Sequence, residues 1–120
     1  EIGSASGMAA AAICSVRGGS KEQMGHACAM ALKNLMGLVC DPVAGLVEVP
    51  CVKRNVGGAV NALAAADMAL AGIASHIPVD QVIDAMGEVG MKMDVSLRET
   101  SMGGVATSPK GLEIAERLGM

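Results

Sequence analysis

No Phe, Trp or Tyr occurs anywhere in the 120 residues. A core must therefore be assembled from aliphatic, Met, Cys and Ala side chains. Each buries less area than an aromatic ring, at roughly 25 cal/mol per Å² of apolar surface. Twenty Ala and 16 Gly together make 36 of the 120 residues. Small side chains let helix axes approach closely, so the composition points to densely packed helices of the kind found inside a larger helical assembly. Hydrophobic residues amount to 52% and the mean hydropathy is +0.47, which excludes disorder. The length suits a single domain.

Nine basic and 12 acidic residues leave a formal charge of −3. That balance gives no basic footprint, and without aromatics there is no base-stacking platform, so nucleic acid is not an expected partner. A membrane is not expected either. Residues 2–16 are uncharged but fall short of the roughly 20 strongly apolar residues that a span requires. Residues 56–79 include Asn61, Asp67 and His76. The start has no signal- or transit-peptide character. Four Cys in a Met-rich chain read as reduced thiols, which points to the cytoplasm.

Hydrophobic spacing and end signals predict a helix over residues 2–16, closed by Arg17-Gly18-Gly19. Ser20 and Gln23 form a capping-box pattern ahead of a helix reaching about residue 36. Residues 38–53 contain Pro42, Gly45 and Pro50 among bulky aliphatics and read as an extended, non-helical connection with a Cys at each end. The longest helix is expected over 55–75, with Val56, Val60, Leu63, Leu70 and Ala74 on one face. Asp67 falls on that face and should be paired, by a salt bridge to another helix. Asp80 can cap a short helix over 81–90 with Val82, Ile83, Met86 and Val89 inward. Residues 91–108 read as irregular, and a last amphipathic helix covers 110–118. The class is all-α, a compact helical segment with a Cys-bearing loop between helices.

Cys40 and Cys51 are the sharpest chemical feature. A rigid Pro/Gly-interrupted backbone fixes thiol positions, and thiolates suit iron–sulfur clusters or zinc. The residues alone leave three readings open: a cluster, a zinc-binding helical domain, or a helical packing module with inert thiols. Cys14 and Cys28 lie in predicted helices among Ala and Met and read as packing thiols. His26 and His76 read as structural.

Residues 37–55, GLVCDPVAGLVEVPCVKRN, together with Glu1-Ile2-Gly3-Ser4-Ala5, Leu97-Arg98-Glu99-Thr100 and Gly103-Gly104, resemble the iron–sulfur-dependent L-serine dehydratases. The match runs almost end to end and corresponds to the C-terminal part of the catalytic α domain or α chain, so residues 1–120 are expected to be one segment of it. The resemblance implies a [4Fe-4S] cluster held by three Cys with one iron open to substrate. Cys40 and Cys51 match two of these ligands. The third belongs to a Gly-Cys-Gln segment directly before the Glu that matches Glu1. Single-chain members carry a C-terminal Cys that can fill the open iron, whereas this sequence ends Gly119-Met120, as expected for a separate α chain.

The implied reaction is deamination of L-serine to pyruvate and ammonia, without pyridoxal phosphate. The open iron acts as Lewis acid on the β-hydroxyl while a base removes the α-proton. A β chain or β domain and a homo-oligomer are the implied partners. The isolated segment is expected to be inactive, and the base to lie in the upstream half. Candidates for substrate contact are Ser4 and Ser6 beside the absent ligand, Arg54 and Asn55 after Cys51, for which a hydrogen bond to cluster sulfides is the alternative, and a second loop carrying Arg98, Thr100, Gly103 and Gly104. For Ser4 and Ser6 a helix-start role is the alternative. For the glycines it is a plain turn, against backbone N–H groups approaching an anion.

Overall fold

A computed structural model describes residues 1–120. Five α-helices follow in order: α1 (Ile2–Val16), α2 (Lys21–Asn34), α3 (Cys51–Leu70), α4 (Val79–Lys92) and α5 (Pro109–Arg117). Short 3-10 turns occupy Val43–Gly45, Val95–Leu97 and Gly104–Thr107. The only β-type pairing is an isolated bridge between Cys40 and Arg98, so the all-α reading holds. No helix is long and apolar enough to cross a membrane.

The chain divides into two compact units. The first comprises Glu1–Gly37 and Val56–Met91, and the second Leu38–Asn55 and Lys92–Met120. Residues 51–55 of α3 thus count with the second unit and the remainder of that helix with the first.

In the first unit α1 spans the expected residues. The Ser20 capping box forms in full: Ser20 Oγ accepts from the Gln23 N–H at 3.1 Å, and Gln23 Oε1 accepts from the Ser20 N–H at 2.9 Å. Two orphan donors of the first turn are satisfied at once, which is why this helix starts where the sequence says. The core is built from small side chains. Ala10 and Cys14 of α1, Ala27 and Ala31 of α2, and Ala62 and Ala66 of α3 are all fully buried in one cluster. Ala29, Leu32 and Val82 form a smaller one that holds α4.

Polar side chains reinforce the same helices. Ser6 Oγ donates to the Gly58 carbonyl at 2.7 Å and accepts from Asn61 Nδ2 at 2.8 Å. Asn61 Nδ2 also donates to the Ala31 carbonyl at 3.0 Å, and its Oδ1 accepts from Asn34 Nδ2 at 2.8 Å. One amide therefore ties α1, α2 and α3. Asp67 is exposed and pairs with Arg17, the residue that ends α1, so its expected partner exists.

Several expectations need correction. Cys51 is the first residue of α3 and not part of the extended connection. Pro50 immediately precedes it, a position where the missing N–H deprives the helix of nothing. The inward face of α3 is not the bulky one: Val56, Val60 and Leu63 are 65%, 60% and 49% exposed, while Gly58, Ala62, Ala65, Ala66 and Ala69 are buried. Close helix packing needs small residues at the contact, and that requirement outweighs the larger transfer energy of Val and Leu. Helix α3 stops at Leu70 and not near 75. Gly72, with φ +90°, sends its N–H to the Ala69 carbonyl at 3.0 Å, and Ile73 sends its own to Met68 at 3.0 Å, a glycine-terminated cap. Ile83, expected inward, is 46% exposed.

Candidate functional site

The second unit holds both singled-out thiols. Cys40 lies on extended backbone pinned on both sides: its N–H donates to the Leu97 carbonyl at 2.9 Å, and its carbonyl accepts from the Glu99 N–H at 2.7 Å. Cys51 opens α3. Both are half-buried, and none of the four Cys forms a disulfide. The loop joining them is closed by its own backbone, with the Val43 N–H on the Val49 carbonyl at 2.9 Å and the Val52 N–H on the Val47 carbonyl at 3.1 Å.

Asp41, the neighbour of Cys40, is the buried hub of this unit at 1% exposure. Its Oδ1 accepts from the Arg54 guanidinium at 2.6 Å, and its Oδ2 accepts from the Val105 N–H at 2.6 Å. Burial pushes the Asp41 pKa up, but the Val105 and Arg54 hydrogen bonds and the Arg54 charge outweigh it and hold the carboxyl below its ordinary value. The same Arg54 nitrogen donates to the Val39 carbonyl at 3.0 Å. Gly104 has φ +61°, and a β-carbon on it would collide with the Asp41 carboxylate. Only glycine fits this backbone conformation and this contact together.

The second candidate loop is held by its own polar groups. Ser101 Oγ donates to the Pro42 carbonyl at 2.6 Å and accepts from the Gly45 N–H at 3.1 Å. Thr100 Oγ1 donates to the Val95 carbonyl at 2.9 Å. Asp94 accepts from the Ser96 hydroxyl at 2.5 Å and the Ser96 N–H at 2.8 Å, and these bonds lower its pKa. Gly103 packs so that a β-carbon would lie 3.0 Å from the Ser96 carbonyl. The N–H that follows Gly104 serves an anion of the chain itself, Asp41.

The structure thus gathers Cys40, Cys51, Arg54, Asn55, Arg98, Thr100, Gly103 and Gly104 in one unit, with Asn55, Arg98 and Thr100 exposed. Ser4 and Ser6 belong to the other unit, where Ser4 is exposed and Ser6 is buried in the Gly58–Asn61 bonds. His26 Nδ1 accepts from the Ser75 N–H at 3.2 Å, a structural bond. Cys14 is buried in the alanine core, and burial raises the Cys28 thiol pKa. Asp41 was not singled out in the sequence. The available signal was a lone carboxylate in the apolar run 38–47, which burial obliges to find a cation or donors. No three His, Cys, Asp or Glu side chains gather into a metal-holding group. By the chemistry of its donors, a pair of thiols is the kind of group that soft metals and iron–sulfur groups take, and Cys40 and Cys51 belong to the same unit.

The sequence model of the family described as serine dehydratase alpha chain matches residues 1–106. The chain belongs to this family. Among curated relatives, a probable L-serine dehydratase alpha chain of Bacillus subtilis (strain 168) is 63% identical over 118 residues, covering 98% of the chain and 39% of the relative. The L-serine dehydratase alpha chain of Peptoniphilus asaccharolyticus is 54% identical, covering 95% of the chain and 39% of that protein. L-serine dehydratase 1 of Escherichia coli (strain K12) is 46% identical, covering 88% and 24%. The chain therefore spans well under half the length of these three relatives.

Proposed function

We propose that this chain forms part of an L-serine dehydratase and supplies Cys40 and Cys51 as two thiolate ligands of a [4Fe-4S] cluster. The observation that carries the reading is that both half-buried thiols stand in one unit, Cys40 on backbone pinned by Leu97 and Glu99 and Cys51 at the head of α3. A third thiolate is required from outside these residues. When bound, the cluster supplies Lewis acidity toward the substrate's β-hydroxyl.

The chain's own contribution is placement. The closed loop 40–51 and the Asp41–Arg54 pair hold the thiol-bearing backbone rigid, which limits rearrangement when substrate enters. Arg98 and Asn55, exposed on the same unit, offer a cation and an amide to the carboxylate and ammonium of L-serine, and Thr100 and the Gly103-Gly104 turn belong to that unit as well. Removal of the α-proton falls to a residue of the upstream half, outside residues 1–120. A β chain is the natural partner, a homo-oligomer the expected assembly, and the cytoplasm, where thiols stay reduced, the expected compartment.

The experiment is anaerobic purification of the full-length protein with its β partner, followed by iron and sulfide analysis, visible absorbance and a pyruvate assay. A brown protein with about four irons per site that converts L-serine to pyruvate is expected. A colourless, active protein containing zinc or no metal overturns the reading.

A further inference from the structure

We propose that Arg54 is a positioning residue that sets the separation of Cys40 and Cys51. Its single Nη1 donates to the Val39 carbonyl at 3.0 Å and to Asp41 Oδ1 at 2.6 Å. Those acceptors belong to the two residues that flank Cys40. Arg54 itself stands three residues after Cys51 on α3, a spacing that puts both on one side of the helix. Its own N–H bonds the Pro50 carbonyl at 3.1 Å, which fixes the turn bearing Cys51. One guanidinium thus clips the strand of one thiol to the helix turn of the other.

The clip is anchored on its far side as well. Asp41 Oδ2 is held by the Val105 N–H at 2.6 Å, and the Cys40 backbone by Leu97 and Glu99. The Asp41 side chain is 2% exposed and the Arg54 side chain 25%, so water competes poorly for the bond. Three non-glycine residues with positive φ, Ala44, Glu99 and Ser101, surround the same segment. Backbone held in such conformations persists where the surroundings over-determine it. The arrangement is that of a support fixing the spacing of two donors, which tunes metal affinity without touching the metal.

This inference rests on the reading of Cys40 and Cys51 as a ligand pair. The test uses the full-length protein freed of metal, with cobalt(II) as the probe and the thiolate-to-cobalt charge-transfer absorbance as the readout. Thermal unfolding of each variant is recorded in parallel. Arg54→Met should remain folded and bind cobalt about tenfold or more weakly, with an altered charge-transfer spectrum, and Arg54→Lys should restore most of the affinity. Should Arg54→Met fail to fold, Asp41→Asn carries the test, since it keeps the shape and removes the charge; a several-fold loss of cobalt affinity is expected. A folded variant of either kind that binds cobalt as the wild type does overturns the proposal while leaving the ligand pair standing. A wild-type protein whose cobalt spectrum lacks thiolate bands, or whose band intensity and cobalt affinity are unchanged in Cys51→Ser, overturns the ligand pair and the proposal with it.

Discussion

Gly104 stands where any β-carbon would strike the carboxylate of Asp41. Two segments distant in sequence are thereby locked face to face, backbone against side chain, in the unit that carries Cys40 and Cys51. Gly104→Ala should destabilise the protein by about 2 kcal/mol or more, since left-handed backbone costs an alanine about 1 kcal/mol and the displaced carboxylate weakens a buried pair. Denaturant unfolding measures it, and an unchanged midpoint would show that the contact is slack.

Asn61 and Ser6 should be energetically coupled. Asn61→Ala removes bonds to Ser6, Ala31 and Asn34 and should cost about 2–3 kcal/mol, at roughly 1 kcal/mol for each hydrogen bond. Ser6→Ala should cost about 1 kcal/mol. A double-mutant cycle should return an interaction of at least about 0.5 kcal/mol. Strict additivity would mean the two side chains act independently.

Acid should weaken the protein partly through Asp41. Its folded pKa lies below the unfolded value, so its stabilising contribution is full above the unfolded value and is lost as pH falls through the folded one. Asp41→Asn should therefore lose less stability between pH 6 and about pH 3 than the wild type does, starting from the carboxylate's unfolded pKa near 3.9. Parallel acid-unfolding slopes for the two proteins would contradict this.

The four thiols should separate by role. In the full-length enzyme Cys51→Ser should lose the bound iron and nearly all activity, because a hydroxyl is a poor substitute for thiolate. Cys28→Ala should keep both and change stability by no more than about 1 kcal/mol. Alkylation of Cys28 in the folded protein should be slow at neutral pH, since burial raises its thiol pKa. Equal iron loss from the two substitutions would place the ligands elsewhere.

What the sequence disclosed was the local part. The start of α2 was readable because Ser20 and Gln23 complete their bonds within one turn. The end of α1 was readable from Arg17-Gly18-Gly19. The inward face of α3 was not, because hydrophobicity ranks Val56, Val60 and Leu63 above Ala62 and Ala66. Only the approach of α1 and α2 decides that the methyl groups face in. Cys51 was misplaced by Pro50, which reads as a breaker in isolation yet stands at a helix start. Asp41 escaped notice because its partners lie 13 and 64 residues away. A hub assembled from such separations leaves no local pattern.

The alanine core has a thermodynamic consequence of its own. An alanine methyl has no rotamer to surrender on folding, whereas a buried Leu or Ile gives up about 0.5–1 kcal/mol of side-chain entropy. Ala10, Ala27, Ala31, Ala62 and Ala66, all at zero exposure, therefore bury modest area with no such loss. Nor do they have alternative side-chain states to hop among once folded. These alanine contacts cannot absorb a perturbation by repacking, so strain applied there to α1, α2 or α3 must be taken up by the larger side chains around them, Met30 among them, or move the helix backbone itself.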